Sequence, residues 1–133
     1  MLSAQHRLRD GADFTATVRG TTSVRAGSPL LVVHTNMTDT RSARPPRVGL
    51  VVSKAVGGAV QRNRTKRRLR HAARARVAAL PPGTDVVVRA NPAAAEAGYA
   101  VLDAELGRLL GRCLAKAGAP GRGRAPAGDG VLG

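Results

Sequence analysis

Eight basic side chains crowd residues 62–76, and no acid interrupts them. They are Arg62, Arg64, Lys66, Arg67, Arg68, Arg70, Arg74 and Arg76, separated by Thr65, Leu69, Ala72 and Ala73. Those intervening residues suit a packed helix, so the run reads as a rod of fixed charge set into a domain. At about 100° per residue, Arg62, Lys66, Arg70 and Arg74 share one i,i+4 ridge, with Asn63 and Arg67 beside it. Thr65, Leu69, Ala72, Ala79 and Leu80 fall on the other side, toward a core. Like charges at i,i+4 oppose one another by about 0.2–0.5 kcal/mol per pair. With no carboxylate inside the run, neutralising charge has to come from elsewhere, and a row of phosphates would supply it. The chemistry expected is polyanion binding. The whole chain agrees, with 22 Lys+Arg against 8 Asp+Glu and a formal charge of +14.

Other chemistries find little support. His6, His34 and His71 lie far apart, without the spacing of a metal pair. Cys113 is the only cysteine, which excludes an intramolecular disulfide and a cysteine-based zinc site. The acids Asp10, Asp13, Asp39, Asp85, Glu96, Asp103, Glu105 and Asp129 are scattered, whereas a two-metal nuclease needs carboxylates that converge. Gly57-Gly58 lacks the spacing of a phosphate-binding loop. Ser53 has no His/Asp arrangement beside it. No catalytic residue and no protein metal ligand is therefore expected. Phe14 and Tyr99 are the only aromatics of the Phe, Tyr and Trp class. Tyr99 and Cys113 are expected to pack in the core. No apolar stretch is long enough to span a bilayer, so neither membrane span nor signal peptide is expected, and the chain reads as cytoplasmic.

The elements that must position these residues follow from periodicity. A helix is expected over 9–18 and a short strand over 21–25. Clear strands follow at 30–35, 47–53 and 85–90. The basic helix spans 59–79 and is stopped by Pro81-Pro82-Gly83. A final helix runs over 94–116, with Tyr99, Leu102, Leu106, Leu109, Leu110 and Cys113 on its apolar stripe. The order is αβββαβα, an α+β domain over 1–116, followed by a Gly/Pro-rich tail at 117–133 expected to be disordered. The unit from strand 47–53 through the basic helix to strand 85–90 is βαβ-like, which suggests parallel strands.

The string RVGLVVSKAVGGAVQRNRTKRRLRHAARAR at 47–76 resembles the protein subunit of bacterial ribonuclease P. The matching pieces are a strand ending in Ser53-Lys54, a Gly-containing turn, Ala59-Val60, and Arg62-Asn63-Arg64-x-Lys66-Arg67-x-x-Arg70. Arg7-Leu8-Arg9, Asp13-Phe14 and the later VVVRANPAA also fit, so the resemblance covers about residues 5–115. It implies a four-stranded mixed sheet with three helices and a left-handed βαβ crossover, against the general rule of hand. The implied activity is endonucleolytic removal of the 5′ leader of precursor tRNA, with a Mg²⁺-dependent RNA subunit as the catalyst. The implied partners are that RNA and precursor tRNA, with no protein partner required.

By resemblance, Arg62, Asn63, Arg64, Lys66, Arg67, Arg70, Arg74 and Lys54 bind RNA. Phe14, Val18, Val32 and His34 would line a cleft for the leader. Relatives often carry several aromatics in that cleft, and here only Phe14 is left, so cations and aliphatic contacts would take a larger share. The residue pattern alone also allows Phe14 as plain core. A second reading is a general RNA-binding or ribosome-associated module without processing activity.

Overall fold

The structure is a computed structural model that describes residues 7–8, 11–20, 23–37 and 45–117. Its elements, in chain order, are α1 (Gly11–Arg19), β1 (Ser23–Gly27), β2 (Leu31–Met37), β3 (Arg47–Val51), α2 (Ala59–Val77), β4 (Thr84–Ala90) and α3 (Tyr99–Ala117). Single 3₁₀ turns at Lys54–Val56 and Pro92–Glu96 precede α2 and α3. The expected αβββαβα order is thus the observed one. His6, Arg9, the polar loop 38–44 and the tail from residue 118 lie outside the described residues.

The strands form one mixed sheet in the order β1-β2-β4-β3. β2 pairs antiparallel with both β1 and β4, and β3 runs parallel to β4. α2 is the crossover between those two parallel neighbours. Val86, Val87 and Val88 are all buried, as a strand covered on both faces requires. The chain before α1 closes the outer edge of β3, where Arg7 bridges Val48 and the Leu8 N–H donates to the Val48 carbonyl at 3.1 Å.

Alternation along the strands gives the sheet two unlike faces. One carries Ala26, Leu31, Val33, Val48, Val86, Val88 and Ala90. It is covered by Leu69, Ala72, Ala73 and Val77 of α2 and by Leu102, Leu106, Leu109, Leu110 and Cys113 of α3. The register puts Ser23, Asn36, Asp85 and Arg47 in one row across the other face. Arg25, His34, Val87 and Gly49 form the next row, and Gly27, Val32, Arg89 and Val51 the third. α1 packs on this second face, against β1, β2 and β4.

Three expectations are corrected. The last helix does not start at 94, because Ala97 adopts an extended conformation (ψ 134°) that ends a 3₁₀ turn, and α3 begins at Tyr99. Ala79 is exposed, since α2 ends at Val77 and the chain is already turning toward Pro81. Tyr99 stands apart from the apolar stripe of α3 and is 44% exposed, while Leu102, Leu106, Leu109, Leu110 and Cys113 are buried. The Cys113 thiol lies 3.5 Å from the Val33 carbonyl oxygen, and burial pushes its pKa up. That is the environment of an inert core thiol.

Candidate nucleic-acid interface

The basic helix is launched by a fixed turn. Gly57 has φ +149°, and a Cβ there would lie 2.6 Å from Gln61 Oε1, so the position takes only glycine without strain. The Gln61 side chain in turn accepts the Gly58 N–H at 2.7 Å, which occupies a free donor of the first helical turn. Lys54 is exposed in the 3₁₀ turn immediately before.

Along α2 the cations divide into two groups. Arg68 donates to the Ala97 carbonyl at 2.8 Å. Arg76 donates to the Asp103 carbonyl at 2.9 Å and pairs with its carboxylate at 3.1 Å. The Arg76 guanidinium lies over Gly107, where a Cβ would stand 2.6 Å from it. These two residues fasten α2 to α3 and to the turn before it. The remaining six, Arg62, Arg64, Lys66, Arg67, Arg70 and Arg74, form no ion pair among the described residues. Asn63, Arg67 and Arg74 are exposed, and Arg62, Arg64, Lys66 and Arg70 are half-buried. The ridge of the helical wheel is therefore a flank, and the most exposed line runs through Arg67, His71 and Arg74. The Nε atoms of Arg62 and Arg64 are buried without a hydrogen-bond partner, while their charged ends remain uncompensated.

The second face of the sheet brings together what the sequence keeps far apart. The Phe14 ring lies on Gly49, where a Cβ would stand 2.3 Å from Phe14 Cζ. Val18 follows one turn later on α1 and is half-buried, as are Val32 and His34 on β2. His34 is paired across the ladder with Arg25 on one side and Val87 on the other, and Val32 with Arg89. Burial, followed by Arg25 and Arg89, holds the His34 pKa below its ordinary value. Its Nδ1 is buried without a partner. The ring thus lies near two cations, with the hydrogen-bonding capacity of its Nδ1 unspent.

Below this row, Asp85 receives two hydrogen bonds from Arg47, both at 2.9 Å. The bidentate pair stiffens the floor. Arg25, Arg89 and Gly49 were missed from sequence, although two signals were available. A glycine inside a strand marks a close approach, and Arg89 interrupts an apolar strand at a position of opposite facing.

This geometry has counterparts among known proteins. A family model described as Ribonuclease P matches residues 2–114. A ribonuclease P protein component of Streptomyces avermitilis is 56% identical over 121 residues, covering 84% of this chain and 97% of its own. One from a Nocardioides species is 53% identical, covering 90% and 97%. The chain belongs to the ribonuclease P protein family.

The RNase P protein of Thermotoga maritima superposes with a TM-score of 0.66 at 26% identity, covering 80% of this chain and 96% of that one. The Staphylococcus aureus RNase P protein shares the fold, with a TM-score of 0.70. As a ribonuclease P protein component, the chain serves tRNA 5′ maturation within an endoribonuclease whose catalyst is RNA. Among the described residues no three His, Cys, Asp or Glu side chains gather to hold a metal ion. No described helix is long and apolar enough to cross a membrane.

Proposed function

We propose that the outward line of α2 grips the phosphates of the ribonuclease P RNA, while the cleft between α1 and the sheet holds the 5′ leader of precursor tRNA. The observation that carries this reading is the division of the α2 cations. Two are held by α3 and the turn before it, and six face outward or sideways with no acid among the described residues to neutralise them. Lys54 and Asn63 extend the same surface at its amino end.

In the cleft, Phe14 offers one stacking surface, Val18 and Val32 aliphatic contact, and Arg25 and Arg89 phosphate neutralisation. His34, whose pKa burial and these two arginines lower, is available to a base edge. Mg²⁺ belongs to the RNA subunit and substrate, where it would supply the activated water and stabilise the leaving oxygen. This chain's part is positional. The working location is the cytoplasm, and the tail 117–133 lies outside the RNA-binding unit.

Reconstitution tests this. RNA-free protein should cleave nothing, and protein with catalytic RNA should process precursor tRNA at low Mg²⁺. Phe14→Ala should weaken precursor binding only when the leader is several nucleotides long, leaving mature tRNA binding and assembly intact. Equal weakening of both substrates would return Phe14 to a purely packing role. Cleavage by the protein alone would overturn the assignment of chemistry to RNA.

A further inference from the structure

One of the chain's two aromatics of this class is not in the core and not in the cleft. Tyr99 opens α3 and is 44% exposed. Its ring meets the His71 ring edge-to-face, with centroids 6.4 Å apart and planes at 88°. His71 is itself exposed and lies on the outward line of α2, between Arg67 one turn earlier and Arg74 one turn later. The pair is held in place. Arg68 donates to the Ala97 carbonyl, two residues before Tyr99, and so ties the start of α3 to the basic helix. An edge-to-face contact leaves ring surface on both partners uncovered by the other. Tyr99 is not part of the buried core cluster, to which α3 contributes Leu102, Leu106, Leu109, Leu110 and Cys113.

We infer that Tyr99 and His71 form a stacking station for an unpaired base of the catalytic RNA, at the α3 margin of the phosphate-binding helix. The inference rests on the reading of α2 as the RNA face and adds to it a contact of another kind. Phosphates lie along Arg67 and Arg74, and the base of an adjoining unpaired nucleotide turns onto the ring. Stacking needs only a π-face, so the station tolerates any base. A paired, A-form segment would not engage it, because its bases are already stacked on one another. The protein thereby selects a single-stranded or bulged position on its RNA, which a strip of cations alone cannot do.

The test uses the full chain assembled with catalytic RNA. Affinity is measured over a range of salt for wild type, Tyr99→Ala, Tyr99→Phe and Arg64→Ala/Arg67→Ala. Tyr99→Ala is expected to weaken assembly roughly 5- to 150-fold at an unchanged salt slope, the signature of a lost stack and not of a lost phosphate. Tyr99→Phe should retain wild-type affinity, and the arginine double variant should lower both affinity and slope. Wild-type affinity for Tyr99→Ala, or an equal loss for Tyr99→Phe, overturns the station. If the arginine pair alone weakens binding, the helix reading survives and the station falls. If neither does, both fall.

A readout on the unaltered protein guards against a variant that folds poorly. Tyr99 is the sole tyrosine, so nitration by tetranitromethane followed by mass spectrometry reports on it alone. Assembly with RNA should protect it, and nitration at the free-protein rate in the assembled enzyme overturns the proposal.

Discussion

The outer line of α2 and the α1-covered face of the sheet are both cationic, but they are assembled in opposite ways. On α2 the charges are neighbours in the chain, and like-charge repulsion is built into the helix. On the sheet, Arg25, His34 and Arg89 come from three strands and meet only through register. The helix presents charge on a rigid convex rod, suited to the backbone of a folded RNA. The sheet face presents fewer charges beside a largely covered ion pair and one aromatic ring, an arrangement that would suit a single strand with exposed bases. Under the proposed function, one surface holds position and the other senses what lies next to it.

The comparison can be broken at several points, and the largest effect is expected in the floor of the cleft. Asp85→Ala removes the carboxylate that accepts two hydrogen bonds from Arg47, at a site where the two side chains are 19% and 7% exposed. It should cost about 1.5–3 kcal/mol of stability, the loss of hydrogen bonds to a charged group, read by urea denaturation. A loss under 1 kcal/mol would mean that the pair is solvated and that the floor is not stiff.

Next comes Gly49→Ala, whose Cβ has no room under Phe14. Displacing the ring should cost about 1–3 kcal/mol and should abolish leader-dependent affinity as fully as Phe14→Ala does. The contrasting glycine is Gly107, whose added methyl meets the far end of the flexible Arg76 side chain. Gly107→Ala should leave RNA affinity unaltered.

On the helix, Arg64→Ala/Arg67→Ala should leave stability nearly unchanged. It should make the slope of log K against log[salt] less negative by roughly 1.4–1.8, two phosphates' worth. An unchanged slope would remove α2 from the interface.

The smallest effect is in pH. The His34 pKa is lowered in the folded state, so the unfolded chain takes up the proton first. Stability from this group is therefore complete above the unfolded value of 6.5 and is lost as pH falls from there through the folded value. His34→Gln should flatten that acidic limb in thermal unfolding measured across pH. A limb that survives the substitution belongs to another group.

The same contrast explains what could be read from the chain before its fold was known. The basic helix was legible because helical period and charge are both local, and so were its stop at Pro81-Pro82-Gly83 and the apolar stripe from Leu102 to Cys113. The split of its cations was not, because Arg68 and Arg76 differ from Arg67 and Arg74 only in meeting α3 and the turn before it. Phe14, Val18, Val32 and His34 were assigned to one cleft by resemblance. The fold places Val32 and His34 on the face that α1 covers, and Phe14 over Gly49 of that face. Arg25 and Arg89 needed the ladder register, which no single strand contains. The break before α3 escaped notice because residues 93–97 are mostly alanine. Pro92 and Gly98, which flank that stretch, were the available signals.

β4 lies between β2 and β3, yet it is the last strand to be synthesised. Leu31 pairs with Ala90 and Met37 with Thr84, so the sheet cannot close until residues 84–90 have left the ribosome. Before then only β1 and β2 can pair, as a hairpin with both edges open, and β3 still lacks its main ladder partner. Two strands alone are marginal in water, and pairings this distant in sequence form slowly. Folding of the nascent chain is therefore a single late event. Any premature stop before Thr84 yields no domain, however complete its basic helix.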